Sequence, residues 1–151
     1  MDLAPDYDEF IASLIAHGVD FVVVGAYALA FHGVPRFTGD FDVLVRPTHD
    51  NAVRLLDAIR AFGFPVAELT PEALMDGRRM LQMGIAPVQI HVMSAISGVS
   101  FEEAWRDRMI GTIGGRQVPF LGRMTFLKNK RAAGRPKDLA DIDALTAGRD
   151  E

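Results

Sequence analysis

The sequence predicts a mixed fold of the α/β or α+β class, with helices packed on one mixed sheet. Three observations support this prediction. Helical and strand-like apolar patterns alternate along the first half of the chain, and two hairpin signals occur in the second half. The length, 151 residues, is enough for one domain with a sizeable core. We therefore expect residues 1–151 to form one domain, with closing helices from about residue 125.

The first half of the chain contains three predicted helices and two predicted strands, placed by apolar spacing, capping residues and glycines. In chain order these are a helix from Asp6 to His17, a buried β-branched strand at Phe21–Val24, a short helix from Ala26 to His32, a strand at Asp40–Val45, and a helix capped by Thr48 or Asp50 and closed by Gly63.

The second half adds a short helix, two hairpins and three longer helical segments. These are a helix opened by Thr70 and Pro71, a hairpin of Met80–Met83 and Val88–Met93, a helix with a capping box at Ser100 and Glu103, a hairpin of Met109–Ile113 and Gln117–Phe120, and closing helices from Thr125 to Ala133 and from Pro136 to Thr146. In the last helix we expect Leu139, Ile142 and Leu145 to form the buried stripe.

Composition excludes several functional classes. The residues are 49% apolar and 24% charged, which is typical of a soluble globular protein, and no apolar run reaches the ~20 residues of a membrane span. The amino terminus lacks a signal-peptide core, so we expect a cytoplasmic protein without a membrane partner. The absence of cysteine excludes disulfides, thiolate zinc sites and cysteine nucleophiles. A net charge of −4 argues against a broadly basic nucleic-acid surface.

An Asp-x-Asp pair opens the strand predicted at Asp40–Val45. Residues i and i+2 of a strand point to one face, so Asp40 and Asp42 project together while Phe41 faces the other side. Two neighbouring like charges repel, and aspartate is a poor strand former. A divalent cation bound to both carboxylates would remove this repulsion. The alternative is that both acids are solvated on an edge strand.

A local basic segment lies near the junction of the two closing helices. All three lysines of the chain, Lys128, Lys130 and Lys137, fall within ten residues, together with Arg131 and Arg135. Lysine is a mobile point charge and binds phosphate in that way. The segment predicts an anion site or, alternatively, a solvated loop between two helices.

A glycine separates the first predicted strand from the helix that follows it, at Gly25-Ala26. Glycine lets the backbone approach a ligand, and a helix start offers N–H groups and a positive dipole end. Alone, this glycine is equally typical of an ordinary turn. Because Mg²⁺ is usually bound by one or two carboxylates and substrate phosphates, Gly25 together with Asp40 and Asp42 predicts a metal–nucleotide site.

The order of these motifs resembles the nucleotidyltransferases of the DNA polymerase beta superfamily, in particular the small bacterial enzymes related to toxin–antitoxin and abortive-infection systems. That family has a Gly-Ser or Gly-Gly helix start, a spacer and then Asp-x-Asp. This chain has Gly25-Ala26, thirteen residues and Asp40-Phe41-Asp42. Residues 28–33, 36–40 and 134–141 are also similar, and the resemblance extends from about residue 21 to residue 145.

The resemblance implies the nucleotidyltransferase fold and the transfer of a nucleoside monophosphate (NMP) from a nucleoside triphosphate (NTP) to a hydroxyl of RNA, protein or a small molecule. Pyrophosphate would be released. The NTP would lie across Gly25 and Ala26, and Asp40 and Asp42 would hold one or two Mg²⁺ ions. The likeness to toxin–antitoxin enzymes also implies a partner protein encoded nearby.

Basic residues would neutralise the phosphates in this scheme. The resemblance assigns this role to Lys130, with Lys128 or Arg131 as substitutes. Arg36 would act in the same way from the loop before Asp40, unless it is only an exposed loop arginine.

Two positions depart from the family pattern. Ala26 stands where the family usually has serine, so the backbone N–H groups remain but the hydroxyl contact to phosphate is lost. His91 stands where the family has a third carboxylate, on the strand before Gly98. Histidine, with an ordinary pKa of about 6.5, could act as the base directly, and it favours Mn²⁺ or other transition ions over Mg²⁺. Alternatively, His91 is a polar strand residue that a neighbour satisfies.

Three hypotheses follow for the function. The first is a metal-dependent nucleotidyltransferase with Asp40, Asp42 and His91 as catalytic residues. The second is a nucleotide- or partner-binding module of the same fold that has lost turnover because of Ala26 and His91. The third is a nucleotide-sugar glycosyltransferase, which also uses Asp-x-Asp with a metal but is usually a much longer protein.

Overall fold

The computed structural model describes residues 4–35 and 40–147. In these residues six strands form one mixed sheet, accompanied by seven helices, which confirms the predicted mixed α/β class. The strands are β1 (Phe21–Val24), β2 (Asp40–Val45), β3 (Met80–Ile85), β4 (Val88–Met93), β5 (Met109–Ile113) and β6 (Arg116–Phe120). The helices are α1 (Pro5–Ala16), α2 (Gly25–Phe31), α3 (His49–Phe62), α4 (Pro71–Met75), α5 (Phe101–Asp107), α6 (Arg123–Ala133) and α7 (Pro136–Thr146).

The sheet has the strand order β3-β4-β2-β1-β6-β5. Both predicted hairpins are present, because β3 pairs antiparallel with β4 and β5 pairs antiparallel with β6. β1 is antiparallel to β2 and parallel to β6, and β2 is parallel to β4. The sheet is therefore mixed, with β2 and β1 at its centre.

The Asp-x-Asp pair lies on a central strand. β2 is hydrogen-bonded to β1 on one side and to β4 on the other. Phe41 and Val43 are fully buried, as expected for residues that face the core from a central strand. The alternative of two acids on an edge strand is therefore wrong.

Side-chain caps start several helices where the sequence predicted them. Thr48 accepts a hydrogen bond from the Asn51 backbone N–H at the start of α3, and Thr70 caps α4. Ser100 and Glu103 form the predicted capping box of α5. These local bonds fix the helix starts independently of the packing around them.

The buried face of α7 differs from the predicted one. Leu145 is buried, but Leu139 is 50% exposed, and the residues that face inward with Leu145 are Asp138 and Asp141. The apolar spacing was misleading because two ionised carboxylates of α7 find basic partners inside the fold. The predicted stripe of Leu139, Ile142 and Leu145 is therefore wrong at its first member.

Buried apolar side chains from α1, α2, α3 and the central strands form one core cluster. Its largest members include Tyr7, Phe10, Phe41, Phe120 and Phe126. In the part of the chain that the structure describes, no helix combines the length and the apolar character needed to cross a membrane.

Candidate functional site

A cleft of about 580 Å³ opens beside the start of α2. Residues from β1, α2, β2, β3, β4, the segment after β4, α6 and α7 line it. The lining includes six predicted site residues, which are Gly25, Ala26, Asp40, Asp42, His91 and Lys130. Most of the predicted site residues therefore come together in one place, although they are far apart in sequence.

The sheet register places the two carboxylates and the histidine side by side. Asp42 is opposite Val24 on β1 and opposite His91 on β4, and Asp40 is opposite Gln89 on β4. Val24 immediately precedes Gly25, so the backbone turn into α2 reaches the Asp42 side chain.

Gly25 is required by both its conformation and its surroundings. Its φ is +69°, a left-handed value that favours glycine. A Cβ at this position would lie 2.3 Å from Asp42 Oδ2, closer than any real contact. The absent side chain therefore leaves the carboxylate of Asp42 directly against the backbone at the start of α2.

His91 is hydrogen-bonded to Asp42. The distance between His91 Nδ1 and Asp42 Oδ1 is 2.9 Å, and because an ionised carboxylate only accepts, Nδ1 carries the hydrogen. His91 Nε2 is buried and has no hydrogen-bond partner among the described residues. The sequence left open that a neighbouring residue satisfies His91. That neighbour is present, and it is Asp42, the candidate metal ligand.

The pKa of Asp42 is raised above its ordinary value, chiefly because burial disfavours the charged form. The nearby charge of Asp40 raises it further, whereas His91 and Lys137 lower it. The ionised Asp42 is therefore stabilised only in part by the groups around it. A carboxylate in this position gains from a cation.

Lys130 reaches the cleft but is already engaged. Its Nζ lies 3.2 Å from Asp138 Oδ1 and 3.4 Å from Asp141 Oδ2, and the residue is 9% exposed. Arg135 makes a two-pronged contact with the same Asp138, at 2.6 Å from Nε to Oδ2 and 3.2 Å from Nη2 to Oδ1. These four residues, Lys130, Arg135, Asp138 and Asp141, are called the ionic cluster below.

Lys128 and Arg131, two other predicted phosphate contacts, do not line the cleft. Lys128 projects from α6 toward α5, where its Nζ lies 2.5 Å from Glu103 Oε2, and it does not line the cleft. Arg36 lies outside the described residues. Arg131 is exposed and is not a lining residue either.

The structure adds several lining residues to which the sequence analysis gave no separate role in the site. Arg135, Lys137 and Asp141 bring charge to the cleft from the start of α7. The cross-strand pair Met80 and Met93 forms an apolar wall with residues 95–97. The spacing of Asp138, Asp141 and Leu145 along one helical face was the available signal for the inward carboxylates.

The carboxylates of Asp40 and Asp42 suit a divalent cation that takes its remaining oxygen ligands from a bound substrate. No group of three or more His, Asp or Glu side chains within residues 4–35 and 40–147 is arranged to hold a metal alone. Asp40 and Asp42 nevertheless offer carboxylate oxygens on one strand face, which hard divalent cations prefer. The raised pKa of Asp42 gives an independent reason for a cation beside it.

Comparison with known proteins gives no match to a family model and no match among curated sequences. Solved structures do match. A protein from Thermotoga maritima, provisionally named a nucleotidyltransferase, has a TM-score of 0.59 at 15% identity, covering 99% of this chain and 94% of that chain. ANT(2")-Ia, solved in complex with adenylyl-2"-tobramycin, has a TM-score of 0.58 at 13% identity, covering 95% and 87%.

An antigenic nucleotidyltransferase-like protein from Paracoccidioides brasiliensis matches at a TM-score of 0.50 and 14% identity, covering 93% of this chain and 72% of that chain. At these identities the likeness establishes architecture. This chain has the nucleotidyltransferase fold, as its motif order predicted.

Proposed function

We propose that this protein is a metal-dependent nucleotidyltransferase that moves an NMP group from an NTP to a hydroxyl acceptor and releases pyrophosphate. The observation that carries the proposal is the position of Asp40 and Asp42 on a central strand beside Gly25, inside one cleft of a nucleotidyltransferase fold. The raised pKa of Asp42 supports it, because a bound cation would compensate a carboxylate charge that the surrounding groups stabilise only in part.

The cleft offers different surfaces to the parts of a nucleotide. The first N–H groups of a helix have no partner within the helix, so those at Gly25 and Ala26 would donate to phosphate oxygens. Asp40 and Asp42 would hold the cation, Mg²⁺ or Mn²⁺, which when bound would neutralise phosphate charge and polarise the α-phosphorus. The apolar wall at Met80 and Met93 would face the uncharged part of a substrate.

The proposed transfer exchanges one phosphorus–oxygen bond for another. The acceptor oxygen forms a bond to the α-phosphorus, the bond from that phosphorus to the bridging oxygen of the β-phosphate breaks, and pyrophosphate leaves. The acceptor hydroxyl loses its proton to a base. His91 holds Asp42 in position through Nδ1, and it would act as the base only where the acceptor hydroxyl reaches the buried Nε2.

The acceptor stays open among RNA, protein and a small molecule. The fold neighbour ANT(2")-Ia was solved with an adenylylated aminoglycoside, which makes a small-molecule hydroxyl one candidate. A partner protein encoded nearby, a toxin–antitoxin role and a cytoplasmic location stay predictions.

The direct test is label transfer. The protein is incubated with each NTP in turn, labelled on the α-phosphate or the γ-phosphate, with Mg²⁺ or Mn²⁺ and with cellular RNA, protein and small-molecule fractions. We expect α-label but not γ-label to enter one fraction, together with pyrophosphate release. Asp42→Asn should abolish the transfer in a protein that remains folded, and unchanged transfer by this variant would contradict the proposal.

A second candidate is a nucleotide- or partner-binding module of the same fold without turnover. It is favoured by His91, which occupies the strand position of an expected carboxylate and is bonded to Asp42. Binding of an NTP with a divalent cation, but no incorporation into any acceptor, would support this candidate. His91→Asp separates the two, because a gain of transfer in that variant would show that the site lacks only a ligand.

A further inference from the structure

The basic groups of the cleft differ in how much of their charge is already used. Lys130 and Arg135 both contact Asp138, and Lys130 also contacts Asp141. Two cations therefore face two carboxylates, and the ionic cluster is neutral as a unit. A phosphate that recruited Lys130 would have to compete with two buried carboxylates.

Lys137 differs from Lys130 and Arg135, because its charge is not engaged by a carboxylate of the described residues. It lines the same cleft as Asp40 and Asp42, its side chain is exposed, and no carboxylate within residues 4–35 and 40–147 lies at ion-pair distance from it. Its charge is close enough to Asp42 to lower the pKa of that carboxyl group. An exposed cation thus lines the same cleft as the carboxylate pair.

The position of Lys137 is unfavourable for the fold alone. It is the second residue of α7, where the positive end of the helix dipole disfavours a cation. Asp138, the next residue, already accepts from the Arg135 backbone N–H and side chain, so it does not balance Lys137. A local conflict of this kind in a cleft indicates a function that opposes stability.

We propose that Lys137 is the side chain that contacts the phosphates of the bound nucleotide, whereas Lys130 and Arg135 hold α6 and α7 together. The inference rests on the proposed function, because it assumes that the cleft takes a nucleotide. It assigns the contact to Lys137, to which the sequence analysis gave no role beyond its place in the basic segment. It also gives the ionic cluster a separate task, which is to hold the start of α7, and with it Lys137, at the cleft.

The test compares nucleotide affinity and thermal stability in matched variants. Affinity is measured by calorimetry with NTPs that carry a methylene bridge between the α- and β-phosphates, in the presence of Mn²⁺. Lys137→Gln should weaken binding about tenfold or more, the loss expected for one hydrogen bond to a charged group. Its melting temperature should stay at or slightly above that of the original protein. Lys137→Arg should retain most of the affinity.

Two further variants serve as controls. Arg60→Gln removes one positive charge from an exposed position of α3 outside the cleft and should leave affinity unchanged. Lys130→Met should lower the melting temperature by about 10 °C, because it removes the cation that two buried carboxylates share.

The outcomes separate this inference from the proposed function. Absence of nucleotide binding by the original protein, with every NTP and cation, would overturn both. Equal affinity of the original protein and Lys137→Gln would overturn only the assignment of Lys137. The assignment would also fail if Lys130→Met weakened binding as much as Lys137→Gln without losing stability.

Discussion

Buried or half-buried carboxylates occur in two regions of the molecule, and the two regions differ in how much positive charge contacts them. In the ionic cluster, Asp138 and Asp141 are almost completely buried, and Lys130 and Arg135 supply their counter-charges. In the cleft, Asp42 lies beside Asp40 on β2 and is hydrogen-bonded to His91 rather than to a lysine or arginine of the described residues.

The pKa directions express the same difference. Hydrogen bonds from Arg135 lower the pKa of Asp138 to about 2, whereas burial raises the pKa of Asp42. A carboxylate that the fold has fully paired contributes to stability, and one that the fold leaves short of positive charge is available to a ligand. We therefore expect that removing a carboxylate charge lowers the stability in the ionic cluster and raises it at Asp42.

The largest effect is expected at Lys130. Lys130→Met removes the cation that the buried Asp138 and Asp141 share, and breaking a buried pair in this way costs about 3–5 kcal/mol of unfolding free energy. Urea denaturation at pH 7 measures this loss. A change below about 1 kcal/mol would show that the ionic cluster does not hold the two helices.

Acid should weaken the ionic cluster over a defined pH range. The pKa of Asp138 is lowered in the folded protein, so its contribution to stability is complete above its unfolded value of 3.8 and is lost as the pH falls toward about 2. Asp138→Asn should be less stable at pH 7 and should lack this part of the acid dependence. Parallel stability–pH curves for the two proteins between pH 4 and pH 2 would contradict the assignment.

A methyl group at position 25 would collide with the Asp42 carboxylate. Gly25→Ala places a Cβ against Asp42 Oδ2 and forces a left-handed φ on alanine, so we expect a loss of about 2 kcal/mol. Gly25→Ala should also lower the transfer activity, because the added Cβ displaces the Asp42 carboxylate. Gly33→Ala is the matched control, since it also has a positive φ but has no atom near the added Cβ.

The smallest expected effect is a gain of stability in Asp42→Asn, and it is also the most diagnostic. Asp42→Asn removes a half-buried charge beside Asp40 and keeps an oxygen that accepts from His91 Nδ1, so the metal-free protein should be more stable by about 1 kcal/mol at pH 7. Because the pKa of Asp42 is raised, the destabilising charge of the original protein appears as the pH rises through that pKa. The gain should therefore be larger at pH 7 than at pH 4, measured in chelator-treated protein.

Local patterns were sufficient to predict the carboxylate side of the site. Gly25 follows a β-branched strand, and Asp40 and Asp42 share a strand face by the period of two, so their juxtaposition needed only the pairing of two neighbouring elements. The strand position of His91 was also predictable, whereas its bond to Asp42 depends on the parallel register of β2 and β4.

The basic side was predictable only as a cluster of charges. Which cation is engaged depends on the packing of α6 against α7, which directs Asp138 and Asp141 inward and leaves Leu139 exposed. Apolar periodicity cannot report this, because it assumes that acidic residues face solvent. The roles of Lys128, Lys130 and Lys137 therefore separate only in three dimensions.

The most direct test of the central claim compares Asp42→Asn with the original protein, with and without ligand. Unfolding free energy is measured in chelator and again with Mn²⁺ and a methylene-bridged NTP at about 100 times its dissociation constant. We expect the order of stability to reverse: Asp42→Asn is the more stable protein in chelator, whereas the ligand adds about 2.7 kcal/mol to the original protein alone. Equal stabilisation of both proteins by the ligand would contradict it.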